Sequence, residues 1–206
     1  MKYNKCLKPD GYDDLPEAQE VVDFIKDSLF RYEHEHRKWE YGLALKLIRE
    51  FNPKTVLNVG GGASPLSSLA VQEGAKKVTE IDPTYGAKYP NIEYIYEPFP
   101  VEGIGTHELV ICTSVIEHVE NDKEFFRALL EHSDNLVFIT TDFHPSGKRF
   151  SYAHSRTYNE DMMDELIEIA HIQGFVTLGD VDYFYKEPMV YEYTFAALAL
   201  VRVKDV

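Results

Sequence analysis

The spacing of hydrophobic positions changes several times along this chain, and each change marks an element. Ala18, Val21, Val22, Ile25 and Leu29 recur at helical spacing from Pro16 to about residue 30. Residues 39–48 predict a second amphipathic helix, stopped by Asn52–Pro53. The period then shortens. Apolar runs at 55–59, 77–81, 92–96, 109–114 and 136–140 read as strands. Helices fill the gaps. One runs from Pro65 to Glu73 and closes at Gly74. Another is capped by Asn121 and reaches about His132, with Phe125, Phe126, Leu129 and Leu130 inward. A third runs from Asn159 to Gln173 and closes at Gly174. Phe175–Leu178, with an extension to Tyr185 left open, and Thr194–Val203 are the last two strands. Residues 1–15 are polar and turn-rich, and are expected to be a loosely held lead-in.

Strands alternating with helices call for a parallel sheet covered on both faces. The final two strands have only the turn-like Lys186–Met189 between them, so they are expected to run antiparallel. The predicted architecture is therefore α/β: a doubly wound, mostly parallel seven-stranded sheet ending in an antiparallel hairpin, with helices on both faces. Residues 1–36 are expected to form a helical cap, and residues 37–206 the main domain.

The most informative turn follows the first of these strands. Asn58–Val59–Gly60–Gly61–Gly62–Ala63–Ser64–Pro65 carries a buried strand into a helix through three glycines. Glycines there allow positive φ and let backbone approach a ligand, and Ser64 before Pro65 suits a helix start. Strand, glycine turn and helix N-terminus make a site for a nucleotide-like ligand. The next strand ends in Asp82, where an acid accepts hydrogen bonds from a ribose. A nicotinamide dinucleotide asks for a third glycine where Pro65 stands, so the pattern favours S-adenosylmethionine (SAM).

The order Asn58-x-Gly60-x-Gly62-x-Ser64 resembles the first motif of class I SAM-dependent methyltransferases, with Asn58 in place of its acid and Ser64 in place of its last glycine. Leu109–Val119 resembles the fourth motif of the small-molecule members, a strand followed by Ser-x-x-Glu-His-Val, here Ser114 to Val119. The resemblance spans about residues 37–206. It implies transfer of a methyl group from SAM to an O or N nucleophile of a small or medium-sized molecule, with S-adenosylhomocysteine (SAH) as product. It implies that Asn58, Gly60, Gly61, Gly62 and Ser64 cradle the methionine end and that Asp82 holds the ribose. Glu97 meets the adenine amino group, with Pro98 and Phe99 against the ring. Thr113 and Ser114 line the strand tip, and His118 is the candidate base. Some relatives bind a divalent metal through Glu-x-x-Glu-His; Ser114 replaces the first acid here, so no metal is expected.

The connection 141–156 is long and gathers Lys148, Arg149 and Arg156 with His144 and His154. It reads as an acceptor lid, with His144, Arg149, His154 and Arg156 binding the substrate and a guanidinium meeting an anionic group. Were this loop elsewhere, Trp39 and Tyr41 would be the next acceptor candidates.

Composition narrows the partners. A net charge of −14 over 206 residues disfavours nucleic acid and anionic membrane. The Asn-Pro-Pro-Tyr pattern of amino-directed DNA methyltransferases is missing after the fourth strand. Two separated cysteines and no leader-like or membrane-length apolar run point to the cytoplasm and a small-molecule acceptor. Two other readings stay open: a non-catalytic SAM/SAH-binding scaffold or sensor, favoured by Asn58, and a nicotinamide oxidoreductase.

Overall fold

The computed structural model describes residues 3–8, 15–26, 37–84, 88–147, 155–185 and 192–203. In chain order the strands are β1 (Asn4–Cys6), β2 (Thr55–Val59), β3 (Lys77–Ile81), β4 (Ile92–Ile95), β5 (His107–Thr113), β6 (Ser133–Phe143), β7 (Phe175–Thr177), β8 (Val181–Asp182) and β9 (Thr194–Arg202). The helices are α1 (Pro16–Lys26), α2 (Arg37–Phe51), α3 (Leu66–Gln72), α4 (Asp122–Glu131) and α5 (Glu160–Ile172), with a short 3-10 turn at Ile116–His118.

One sheet runs in the order β4-β3-β2-β5-β6-β9-β1-β8, and β7 also pairs with β9. β2, β3, β4, β5 and β6 are parallel; β9 lies antiparallel to β6 and to β7. The doubly wound sheet with its antiparallel close is as expected. Side-chain alternation decides which face each strand residue covers. Val56, Leu109, Ile111, Leu136 and Phe138 pack under α1, α2 and α3 with Trp39, Leu43 and Leu47. Leu57, Val59, Val110, Cys112, Val137 and Ile139 pack under α4 and α5 with Phe126, Leu130, Met163 and Leu166. Both faces are dry, which explains the near-continuous apolar runs.

The sheet has nine strands rather than seven, because β1 in the N-terminal segment and β8 after β7 join it. The free edge of β9 is divided. Its C-terminal end pairs with β7 (Phe175↔Arg202), and its N-terminal end pairs with β1 (Lys5↔Ala197). The polar lead-in is therefore not loose at residues 4–6. Asn4 is fully buried; its side chain donates to Leu178 O (3.0 Å) and accepts from Ala199 N (2.7 Å). The chain after β7 does not extend that strand; it turns at Gly179 and returns as β8, parallel to β1. Leu29 and the connector Lys186–Met189 lie outside the described residues.

Two helix starts behave differently. Asn159 caps α5, accepting from Met162 N at 3.0 Å. Asn121 makes no side-chain cap to α4, so that expectation is corrected. At the glycine turn, Leu66 N donates to Ser64 Oγ at 3.2 Å, and α3 begins one residue later than expected.

Candidate functional site

The glycine turn sits at the C-terminal end of β2. Gly60 has φ +71° and its N–H donates to Ile81 O at 2.7 Å, tying the turn to β3. A Cβ on Gly60 would lie 2.3 Å from Val115 Cγ2, and one on Gly61 would lie 2.5 Å from Glu80 Cδ and 2.8 Å from Asn58 Nδ2. These two glycines are demanded by the protein's own packing. Gly62 differs: it has φ +50°, and its nearest neighbour for a Cβ is Asp82 Oδ2 at 3.4 Å. It faces a pocket lined by Ile25, Arg37, Tyr41, residues 60–65, Thr113 and Ser114. Ala63 and Ser64 are thus in the pocket wall, and α1 and α2 roof it.

Beneath the turn lies a buried polar knot. Asn58 Nδ2 donates to Ser67 Oγ at 2.9 Å, and Ser67 Oγ donates to Glu80 Oε2 at 2.5 Å. Asn58 Oδ1 has no hydrogen-bond partner among the described residues. Burial pushes the Glu80 carboxyl up to about 7, aided by the nearby Asp82 charge and opposed by the Ser67 and Asn58 hydrogen bonds. Asn58 stands where the resemblance has an acid; the acid here comes from the neighbouring strand. Asn58 therefore acts through this knot and does not line the pocket.

Asp82 is held at the turn's edge, its Oδ1 accepting from Thr84 N (2.7 Å) and Thr84 Oγ1 (2.5 Å). Glu97 and Pro98 are exposed and stand outside the pocket lining. Phe99, half-buried, packs T-shaped against Phe125 (5.5 Å) and His132 (5.4 Å) beside the α4 core and stands outside the pocket lining.

A second polar cluster adjoins the pocket. Glu40 on α2 is fully buried and pairs with Arg37 Nη1 at 3.3 Å. Its Oε2 accepts from Ser114 Oγ (2.8 Å) and from Thr140 Oγ1. Ser114 thus reaches the pocket while its hydroxyl serves Glu40, at a positive φ of +52° that is uncommon for a residue with a side chain. Burial raises the Glu40 pKa against the pull of Arg37 and the two hydroxyls. Burial also works against the Arg37 charge, but Glu40 and other neighbours outweigh it and raise the Arg37 pKa. Glu117, in the 3-10 turn, is completely buried; Oε2 accepts from Thr141 Oγ1 at 3.3 Å and Oε1 has no partner among the described residues. Burial, then the Asp142 charge, pushes Glu117 well above the carboxylate range, and burial pushes Asp142 up to about 7. His118 projects to solvent beside this cluster, with partial burial and the Arg37 charge holding it below 6.5. A ring neutral at pH 7 can accept a proton.

The expected acceptor lid divides. β6 runs on to Phe143, so Thr141, Asp142 and Phe143 are strand, and Phe143 bridges to Tyr158. His144 Nδ1 accepts from Ser146 N (3.1 Å) and is 2.8 Å from Ser146 Oγ, a local turn. Arg156 is engaged inside the fold: it pairs with Asp122 Oδ2 (2.8 Å) and donates to Val119 O (2.7 Å) and Glu120 O (3.1 Å). It ties the Glu117–Glu120 segment to α4 and is not placed to meet an acceptor, a correction with a plain electrostatic cause. Lys148, Arg149 and His154 lie outside the described residues.

Sequence reasoning missed Arg37, Glu40, Glu80 and Asp142. Arg37 and Glu40 belong to a charged stretch that reads as a solvated helix start. The one available signal was Glu40 between Trp39 and Tyr41, on a helix otherwise buried almost all round. Glu80 breaks an apolar strand just before the ribose acid, which was a readable irregularity.

Solved structures share this architecture. Magnesium protoporphyrin IX methyltransferase from Synechocystis PCC 6803, with bound SAM, superposes with a TM-score of 0.57 at 15% identity, covering 92% of this chain and 98% of that one. The 1,6-didemethyltoxoflavin-N1-methyltransferase of Burkholderia thailandensis, with 1,6-didemethyltoxoflavin and SAH bound, gives 0.63 at 13% identity, over 96% and 92%. The ribosomal protein L11 methylase of Lactobacillus delbrueckii subsp. bulgaricus gives 0.53 at 16%, over 84% and 80%. The chain has the fold of SAM-dependent methyltransferases. No protein-family model and no curated protein sequence matches it. The methyltransferase fold accommodates a porphyrin enzyme, a toxoflavin enzyme and a ribosomal-protein enzyme alike, so it leaves the acceptor to the local residues.

Proposed function

We propose that this protein is a SAM-dependent methyltransferase that moves the sulfonium methyl to an O or N nucleophile of a small or medium-sized molecule. The observation that carries the reading is the Gly60–Gly62 turn: backbone forms the floor of a pocket at the C-terminal ends of β2 and β5, with Arg37 and Tyr41 above it. The chain's residues fit the amino-acid end and ribose of SAM. Gly62 presents bare backbone and Arg37 brings a cation suited to a carboxylate; Asp82, outside the lining but with Oδ2 3.4 Å from where a Gly62 Cβ would stand, brings an acid suited to ribose hydroxyls. Glu97 and Pro98 remain candidates for the adenine side, and Thr113 and Ser114 for the wall. When bound, SAM supplies an activated methyl group. The protein's part is to align the reactants and exclude water. His118 is the proposed base, and residues 144–156 the proposed acceptor side, with Arg149 and His154 as its contacts.

In the same reading, residues 37–206 carry the cofactor site, β1 belongs to their sheet, and α1 is the cap, whose Ile25 reaches the pocket. No helix among the described residues is long and apolar enough to cross a membrane, and Cys6 and Cys112 are free and buried, which supports a cytoplasmic setting.

Calorimetry with SAM, SAH and NAD tests the cofactor. SAM and SAH are expected to bind, NAD is not, and Arg37→Gln should weaken SAH. SAH release with a metabolite pool then separates an enzyme from a scaffold that only binds.

A further inference from the structure

The part of the site that faces away from the glycine turn is acidic. Glu40 and Arg37 satisfy one another across 3.3 Å, and Glu40 is further satisfied by Ser114 and Thr140. Behind them stand Glu117 and Asp142 without an ion-pair partner among the described residues. Glu117 is fully buried and its Oε1 accepts no hydrogen bond among the described residues, which is unfavourable unless a donor arrives. Asp142 stands at the C-terminal end of β6, where ligands meet open α/β sheets, and is 9% exposed. No hydrogen bond from a described residue reaches its carboxylate. The Asp142 charge acts on Glu117, and the charged groups around the two acids are Arg37 and Glu40 on α2, with His118 next to Glu117 in the chain.

An ammonium group answers this arrangement. It carries a positive charge and several hydrogens, which suit the unpartnered Asp142 carboxylate at the strand end. A hydroxyl offers one hydrogen and no charge. A carboxylate or phosphate would bring a further negative group against these acids. The net charge of −14 also draws cations toward the protein. Resting on the methyltransferase reading, we propose that Asp142, backed by Glu117, is the acceptor subsite and that the acceptor is an amine that enters protonated. The acceptor ammonium gives one N–H proton to the Asp142 carboxylate, which for an amine takes over the role of base proposed above for His118. The freed nitrogen lone pair forms the N–C bond as the methyl–sulfur bond breaks, and that bond's electron pair stays on sulfur. The products are a methylated ammonium, SAH and a protonated Asp142, which releases its proton to water. Asp142 touches the acceptor; Glu117 is a positioning residue that acts through Asp142.

The test has separate cofactor and acceptor readouts. SAH is first titrated into the wild type; the SAH-loaded protein is then titrated with butylammonium, butanol and butyrate. SAH release from SAM is measured with pools of amines, alcohols and carboxylic acids. Saturable butylammonium binding and turnover in the amine pool are expected. Asp142→Asn should lower both at least tenfold, and Glu117→Gln should raise the amine KM more than it lowers kcat, while SAH affinity stays within twofold. Both substitutions are near-isosteric, and thermal melts monitor the fold; if Asp142→Asn does not fold, Asp142→Ser takes its place. Failure of SAH to bind the wild type overturns the methyltransferase reading. SAH binding with equal affinity for the three probes, with turnover confined to alcohols or acids, with no turnover in the amine pool, or with an unimpaired Asp142 variant overturns the amine subsite alone.

Discussion

Glu80 stands directly opposite Asn58 in the β2–β3 ladder, and both side chains close on the hydroxyl of Ser67 beneath the backbone of Gly61. An acid in the wall of the glycine turn is thus supplied across the sheet, from β3, while the β2 position carries an amide. The exchange keeps a hydrogen-bonded floor under the turn and places a carboxyl where burial favours its protonated form.

That carboxyl makes stability depend on pH. Its folded pKa, about 7, lies above the ordinary 4.5, so the folded state binds the proton more tightly than the unfolded state does. Stability is therefore lost as pH rises from about 4.5 through 7, and the whole loss is present above 7. Glu80→Gln has no proton to lose. The variant should match wild type near pH 4.5 and exceed it by up to about 3 kcal/mol at pH 8. Urea unfolding at the two pH values checks this; an advantage that does not grow with pH would show that Glu80 is ionised in the fold.

Gly61→Ala should be destabilising by roughly 1–3 kcal/mol, because its Cβ would sit 2.5 Å from Glu80 Cδ without any backbone strain to blame. Combining it with Glu80→Ala should cost less than the two separate losses added together. Strict additivity in a thermal or urea double-mutant cycle would place the clash elsewhere.

Asp82→Ala should weaken SAH binding more than tenfold. A charged hydrogen bond to a ribose hydroxyl is worth about 1.5–3 kcal/mol, and the Asp82 carboxylate is already oriented by Thr84. Calorimetry giving the wild-type affinity would remove Asp82 from the cofactor site.

Arg156→Ala should act on stability and not on the cofactor. It removes a half-hidden ion pair to Asp122 and two hydrogen bonds to the Val119 and Glu120 carbonyls, for a loss of about 1–3 kcal/mol. SAH affinity should hold within twofold. A stable variant with a raised acceptor KM would return Arg156 to the substrate side.

The sequence by itself determined the parallel sheet, the glycine turn and the acid at the tip of β3. Those features are local: short continuous apolar runs such as Val110–Ile111–Cys112 and a Gly60–Gly62 turn need only near neighbours to read. The α5 start at Asn159 was legible for the same reason. Tertiary structure alone decided the rest. β1 has no pattern in three residues; it exists because β7 leaves half of the β9 edge open and Asn4 joins Ala199 to Leu178. Phe99 turned to the α4 core because Phe125 and His132 offered it a dry place. The acidic cluster is the plainest case. Glu40, Glu117 and Asp142 are far apart in sequence, on a helix, a turn and a strand; Glu40 and Asp142 read alone as ordinary surface charges, and Glu117 only as part of a Glu-His motif. Only the packing of α2 over the ends of β5 and β6 brings them together out of water, and removal from water is what gives a carboxyl an unusual pKa and an unmet hydrogen bond.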